Sequence, residues 1–595
     1  MRVDGYAPIR DYAVLGDGRT TALVALDGAV DWLCLPDLDS PAVFGALLDA
    51  ERGGRFALAP AEPFETERRY LPGTNVLETT FTTAGGAVRV TDALALPTAG
   101  LAPHRELVRR VECLAGTVPL EWTFAPRFDY GTRLPRIGLR SGIPVADSGG
   151  DAVAVLAWDV GEPVLEAAEV RARWEARQGD RGLVVLAAAD QEPLVLPGRA
   201  ESEERLDATT TFWTGWSDDL TYEGEWRDAV VRSALTLKLF VFALTGAIAA
   251  APTTSLPEWI GGKRNWDYRF SWVRDSAFVL EALLDLEAAP EATSFLWWLL
   301  QASQLTRPEV SVLYRLDGSA HAPERELPLA GYRGSRPVRV GNGAAGQRQL
   351  DVYGDLFETV WIYVERGNGL DRDAGKLLAG MADLVADIWS EPDRSLWEVR
   401  SEAAHFTHSK MMCWVALDRA CRLADKGAIP GEHAPRWRSA ADAVAAFVER
   451  ECFSSEHGAY VRAAGHDGLD ASLLLAPVMG YHAGTPERVA GTIDAIRREL
   501  GRGPFLLRYS GEDGLERGEG CFLVCSFWLV EALAACGRVD EAAELMREVV
   551  AEANDVGLFA EEIDPETHEF LGNFPQALTH LGLVSAATAI AEAAQ

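Results

Sequence analysis

Past residue 220 the chain carries twelve helix-period segments in near-unbroken succession: 226–242, 274–286, 290–303, 351–366, 374–389, 408–426, 435–453, 471–481, 486–500, 521–537, 539–553 and 574–594. Start and stop signals frame several of them, such as Thr485-Pro486-Glu487 ahead of an apolar-periodic run and Gly537 after one. Connections into the odd-numbered segments are mostly short and plain. Those into the even-numbered ones are rich in Trp, Tyr, Arg, Asp, Glu and Gly. Consecutive antiparallel helices put every odd-to-even connection at the same end. The pattern therefore predicts a closed helical barrel whose inner ring is the even helices, with six loops lining one pocket at helix N-termini.

Before residue 220 the patterning is period-two, in short runs cut by Gly, Pro and Asp, such as 21–36, 75–96, 105–126, 151–159 and 182–190. This reads as an antiparallel β-sandwich. The expected organisation is an N-terminal β-sandwich domain over 1–215, a linker over 216–225, and an (α/α)6 barrel over 226–595. Asp31-Trp32, after the hairpin-like Asp27-Gly28, reads as core and turn chemistry rather than a site.

With 48% apolar and 24% charged residues, this is the composition of a globular protein. A net charge of −33 excludes a phosphate-backbone partner, since no basic surface is available to release counterions. No apolar run reaches membrane-spanning length and the N-terminus does not resemble a signal peptide, so the expected setting is cytoplasmic, with no nucleic-acid or membrane partner. The eight cysteines form no CxxC or Cys/His ligand pattern and read as buried free thiols. His405 and His408 lack a third partner and read as ordinary hydrogen-bonded histidines, so neither a metal nor another cofactor is expected.

A pocket lined by Trp, Tyr, Arg, Asp and Glu suits a sugar, with indole faces against C–H faces and charged side chains on paired hydroxyls. Trp266, Trp272 and Trp397 fall in the loops, whereas Trp298, Trp389, Trp414 and Trp528 fall within helices and read as core. Two loop glutamates stand out. Glu398 follows Trp397, where an indole would keep its carboxyl dry and protonated; Glu561 sits in the charged run Glu561-Glu562-Ile563-Asp564, expected to stay ionised. Opposed protonation states in two carboxyls are what acid–base cleavage of a glycosidic bond requires.

The runs NWDYRFSWVRDS (265–276), GYRGSRPVRVGN (331–342), SLWEVR with HFTHSK (405–410), LRY (507–509), CSFW (525–528) and AEEID with GNFPQALTHLGL (572–583) resemble bacterial members of glycoside hydrolase family 15. The opening stretch 11–49 resembles the β-sandwich that such members place before their barrel. The resemblance implies hydrolysis with inversion at the anomeric carbon. It matches Glu398 to the general acid and Glu561 to the general base, with Glu562 the adjacent alternative. It further matches Arg274 and Asp275 to the grip on the non-reducing glucose, Tyr268 to a support for base and water, Trp272 to a subsite wall, and Arg508 to a sugar-binding arginine. Trp397 completes the substrate-binding set. Ser401-Glu402-Ala403-Ala404 departs from the Gly and Pro-Arg expected before HFTHSK, on the acceptor side.

The expected function is an exo-acting glycoside hydrolase releasing β-glucose from an α-glucoside, with α-1,4-glucan or malto-oligosaccharides as the main expectation and trehalose as the alternative. An α-glucoside phosphorylase and a non-catalytic sugar-binding protein are the remote ones. Acceptor discrimination is assigned to 305–335, 399–407 and 510–520. An inverting mechanism places the two carboxyls roughly 6.5–9.5 Å apart, leaving room for a water.

Overall fold

The computed structural model describes residues 2–97, 105–307, 309–481, 484–511, 513–514 and 518–594. Residues 308, 512 and 515–517 of the expected acceptor loops lie outside these. Among the described residues the N-terminal strands run from Tyr12 to Asp190 and form two layers that share one long strand, Glu106–Ala125. Its first half pairs antiparallel with Gly86–Leu94 and Arg181–Asp190; its second half pairs with Arg55–Pro60 and Glu169–Arg177. The strand passes between layers at Gly116, which takes φ +69 and lies so close to the Gly85 carbonyl that a Cβ would meet it at 2.0 Å. Only glycine satisfies both conditions.

The helices follow: α1 (Arg199–Asp218), α2 (Arg227–Phe240), α3 (Ser276–Asp285), α4 (Ala289–Ser303), α5 (Asp351–Glu365), α6 (Arg372–Ile388), α7 (Thr407–Asp425), α8 (Ala434–Glu451), α9 (Leu475–Val478), α10 (Pro486–Leu500), α11 (Leu523–Ala535), α12 (Val539–Val550) and α13 (Ala577–Ala593). From α2 to α13 they match the twelve expected segments. The inner ring is α3, α5, α7, α9 with its preceding 3-10 turn, α11 and α13, and it closes where α13 packs on α3. Inner helices are buried on most sides because they meet ring neighbours and an outer helix at once; α11 is buried from Leu523 through Ala534, and α7 buries even Lys410 and Arg419. Outer helices are one-sided. α6, for example, is capped by Asp371, whose side chain accepts from the Asp373 and Ala374 N–H groups, and buries Leu377, Leu378, Met381 and Val385.

Two elements differ from expectation. The segment 471–481 is a 3-10 turn, Ala471–Leu474, running into a four-residue α9, because Pro477 cannot supply the N–H that a continuous helix needs. Helix α1 was not anticipated. Its polar sequence hides the buried Arg205, which pairs with Glu106 at 2.7 Å and docks the helix on the sheet. All eight cysteines are free thiols, but Cys536 is exposed rather than buried. No helix is long and apolar enough to cross a membrane among the described residues.

The sandwich braces the loop before α3. Arg269 is 1% exposed, and its guanidinium donates from Nε and Nη2 to the two Asp267 oxygens at 2.8 Å, and from Nη1 to the Ser40 carbonyl at 2.8 Å. Trp32, fully buried beside Asp31 as core, donates its indole N–H to the Pro252 carbonyl at 2.8 Å. Tyr332 donates to the Ala7 carbonyl at 3.0 Å, and Tyr6 to that of Gly331 at 3.1 Å. Arg269→Ala strands a buried Asp267 and is expected to cost about 3–5 kcal/mol. Arg110→Ala, which breaks an exposed 3.4 Å pair with Asp207, should cost under about 1 kcal/mol. Urea melts of both variants check this, and comparable losses would remove Arg269 from its bracing role.

Candidate active site

The inner-helix N-termini converge on a narrow cavity of about 40 Å³. Of the expected residues, Tyr268, Trp272, Arg274, Asp275, Trp397, Glu398 and Arg508 line it. Glu561 does not. It is 1% exposed and buried beside the wall, next to Tyr268. Glu258, Arg264, Trp266, Arg400, Phe522 and Gln576 complete much of the lining. Sequence reading missed Glu258 as a site residue, although the Leu256-Pro257-Glu258 step just ahead of the NWDYRFSWVRDS run was the available signal.

The loop before α3 works by alternation. Asp267 and Arg269 face the sandwich, while Tyr268 and Trp272 face the cavity with their rings 5.0 Å apart, edge to face. Trp272 Nε1 and Arg274 Nη1 each donate to Glu398 Oε1 at 2.7 Å. Arg274 also donates to the Leu396 carbonyl at 2.5 Å, which ties the α3 loop to the α7 loop. Glu398 itself sits at φ 57 in a tight turn, its N–H donating to the Ser395 carbonyl. A non-glycine residue there stores strain on the order of 1 kcal/mol, a frequent mark of functional sites.

These contacts correct the expected environment of Glu398. Trp397 does not shelter it; the Trp397 indole N–H goes to Asp470 at 2.8 Å and its ring packs on Phe522 and Trp528. Glu398 is instead held by an indole N–H and a guanidinium on one oxygen, and Oε2 has no hydrogen-bond partner among the described residues. The environment of Glu561 is likewise not the hydrated, charged one expected. Burial, and then the nearby Glu258 carboxylate, push its pKa up to about 8, against the pull of the Asn573 N–H, Arg508 and the Tyr268 hydroxyl. Its Oε2 accepts from Asn573 N at 2.9 Å, and Oε1 has no partner of hydrogen-bond geometry. Gly572, at φ +70, leaves the room: a Cβ there would lie 2.4 Å from Glu561 Oε2.

Glu562 turns the other way, as strand alternation demands. It is fully buried, accepts from Gly520 N at 2.8 Å, and joins Glu258 and Glu519 around Arg508. These three are the only carboxylate, His or Cys group close enough to hold a metal among the described residues. Arg508 already occupies the centre, with Nη2 at 2.6 Å from Glu258 and 2.5 Å from Glu519, and Arg264 adds a second guanidinium at 3.2 Å from Glu519. Fixed cations thus stand where a metal would. His408 is fully enclosed with neither ring nitrogen hydrogen-bonded, contrary to the expectation of a bonded histidine, and burial holds its pKa down at about 3. Asp275, raised to about 6 by burial, has Arg274 3.8 Å away as its one close cation among the described residues. Of the tryptophans expected in the core, Trp298 and Trp528 are buried while Trp389 and Trp414 are partly so.

The arrangement offers two carboxyls in contrasting surroundings, both close enough to Tyr268 to act on it, one lining and one buried beside a cavity walled by aromatic rings and guanidinium groups. Over residues 224–588 the sequence matches the model of glycosyl hydrolases family 15, and over 3–160 that of a trehalase-like N-terminal domain. It is 39% identical to a trehalase of Mycolicibacterium smegmatis, across 98% of this chain and 91% of that protein. A trehalase of Thermoplasma volcanium is 35% identical, across 100% and 95%. The fold is similar to that of a bacterial glucoamylase solved with acarbose, with a TM-score of 0.73 at 14% identity over 99% of this chain and 95% of that one. The chain belongs to glycosyl hydrolase family 15 and is a glycoside hydrolase, a β-sandwich followed by a helical barrel.

Proposed function

We propose that the enzyme hydrolyses trehalose with inversion, using Glu398 as general acid and Glu561 as general base. The observation that carries the substrate is the full-length similarity to proteins named trehalase, at 39% and 35% identity. It displaces the malto-oligosaccharide expectation, which rested on motifs for the terminal glucose that all these substrates share. Trp272 and Arg274 fix Glu398 Oε1, so the acid proton belongs on Oε2, from which it passes to the glycosidic oxygen. Glu561 Oε1, free of a hydrogen bond, takes a proton from water as the water oxygen attacks C1 from the opposite face. Arg274 and Asp275 hold the glucose being transferred, Tyr268 orients the water, Trp272 and Trp397 wall the subsite, and Arg508 binds sugar hydroxyls.

Trehalose should be the fastest substrate in a panel with maltose, isomaltose and soluble starch, with or without added phosphate; a preference for maltose or starch would overturn the substrate. Inversion converts one glucosyl unit to β-glucose while the leaving glucose stays α. Proton NMR should therefore show equal α- and β-glucose before mutarotation, and α-glucose alone would mean retention.

Glu398→Gln and Glu561→Gln should each lower kcat by about 10²–10⁴-fold, as expected for loss of a proton-transfer partner. Glu562→Gln, or Glu258→Gln, proving to be the silent variant while Glu561→Gln turns over would reassign the base.

The base works ionised, and its value is raised to about 8, so kcat/KM should climb with pH through an acidic limb well above the roughly 4.3 of an ordinary glutamate. Glu258→Gln removes a carboxylate that disfavours the ionised base and should move that limb to lower pH. A limb that stays in place in a pH–rate profile of the variant would uncouple Glu258 from the base.

A further inference from the structure

At the other end of the barrel the C-terminal halves of the inner helices line a second cavity, open to solvent, of about 450 Å³. Its charged lining is Glu281 and Asp285 from α3, Arg366 just past α5, Glu531 from α11 and Glu592 from α13, and Ser585 and Thr588 of α13 add hydroxyls. Arg366 is the lone cation among the lining residues, and it is already ion-paired to Asp285. Glu531 is 2% exposed, and its Oε1 has no hydrogen-bond partner; the Ser585 hydroxyl, 8% exposed, has none either. A buried carboxyl oxygen without a hydrogen-bond partner is costly whether the group is charged or neutral. The inner-helix C-termini add partial negative charge at the same place. Burial, with Asp285, Glu358 and Glu592 nearby, raises Glu281 to about 8, and burial together with Glu281 holds Glu531 well above the usual glutamate range.

We propose that this cavity binds an aliphatic ammonium cation, an amine or polyamine, separate from the sugar pocket. Glu531 and Glu281 receive the ammonium N–H groups, and Ser585 Oγ supplies a further acceptor. Alanines of α11 and α13, with Pro477 and Val478, give the apolar wall that methylenes need. A bare metal ion is disfavoured by geometry: the floor carboxylates do not converge within 4.8 Å in a group of three, as Glu258, Glu519 and Glu562 do. The size of the cavity and its alanine-rich wall also suit an alkyl chain better than an ion.

The test is a thermal-shift and calorimetric titration of the full chain with spermidine and putrescine, at fixed ionic strength, against NaCl, KCl and MgCl2. A saturable rise in Tm with the amines alone is expected. Binding should weaken at least about tenfold in Glu531→Gln and in Glu281→Gln, the share of one charge-assisted hydrogen bond, and persist in Glu541→Gln, whose side chain pairs with Arg538 outside the cavity. Both glutamine variants keep the shape of the side chain and relieve a buried charge, so they should fold. An equal response to K⁺ or Mg²⁺, no response to amines, or amine binding that survives both variants and competes with substrate would each overturn the assignment.

Discussion

The buried Asp267–Arg269 pair holds the rest of the site in place. Its two side chains face the sandwich, so the residues between and beyond them, Tyr268 and Trp272, must face the cavity. Arg269 reaches the Ser40 carbonyl and lies over the rings of Trp32 and Tyr130. Asp267 also accepts from Gly341 N at 3.0 Å, and Asn342 Nδ2 reaches the Asp267 carbonyl at 3.3 Å, so the loop before α5 is held by the same pair. Asn573 continues the chain of contacts: its Nδ2 donates to the Trp266 carbonyl at 3.0 Å while its backbone N–H donates to Glu561. A sandwich from which no described residue lines the sugar cavity thereby helps set the position of both glutamates.

The two ends of the barrel divide the electrostatic work. At the sugar end, helix N-termini and Arg264, Arg274 and Arg508 balance a dense set of carboxyls, so the cavity can present acids without collapsing on itself. At the far end, Arg366 alone among the described lining residues opposes Glu281, Asp285, Glu531 and Glu592. The asymmetry follows from running six inner helices in one direction.

Much of this was legible in the sequence. Helix periodicity and the alternation of plain and rich connections gave the number of barrel helices and the end at which the site lies, because both are local properties of the chain. Helix α1 was not legible, since its docking depends on Arg205 meeting Glu106 across a sheet that periodicity cannot see. The short α9 could have been read from Pro477. Placing Tyr268, Trp272, Arg274, Asp275, Trp397, Glu398 and Arg508 around one cavity was within reach of the motifs; the state of each carboxyl was not. Proximity in sequence suggested Trp397 as the neighbour of Glu398, but the indole that touches it is Trp272, 126 residues away. Charged neighbours in sequence likewise suggested a hydrated Glu561, and strand alternation instead sends Glu562 to the arginine cluster and leaves Glu561 enclosed.

Asn554 donates to the carbonyls of Arg10 and Tyr12, the first of these 544 residues away in the chain, and Arg68 is bidentate to Asp555 at 2.7 Å. The first of the described strands, Tyr12–Gly16, is thus completed by a loop more than 500 residues later in the chain. Contacts of this span close slowly, because the loop entropy must be lost before the contact is gained. During synthesis the sandwich must wait with Arg68 and the edge carbonyls of its first strand exposed, and the sugar cavity cannot form until the Glu561 loop arrives.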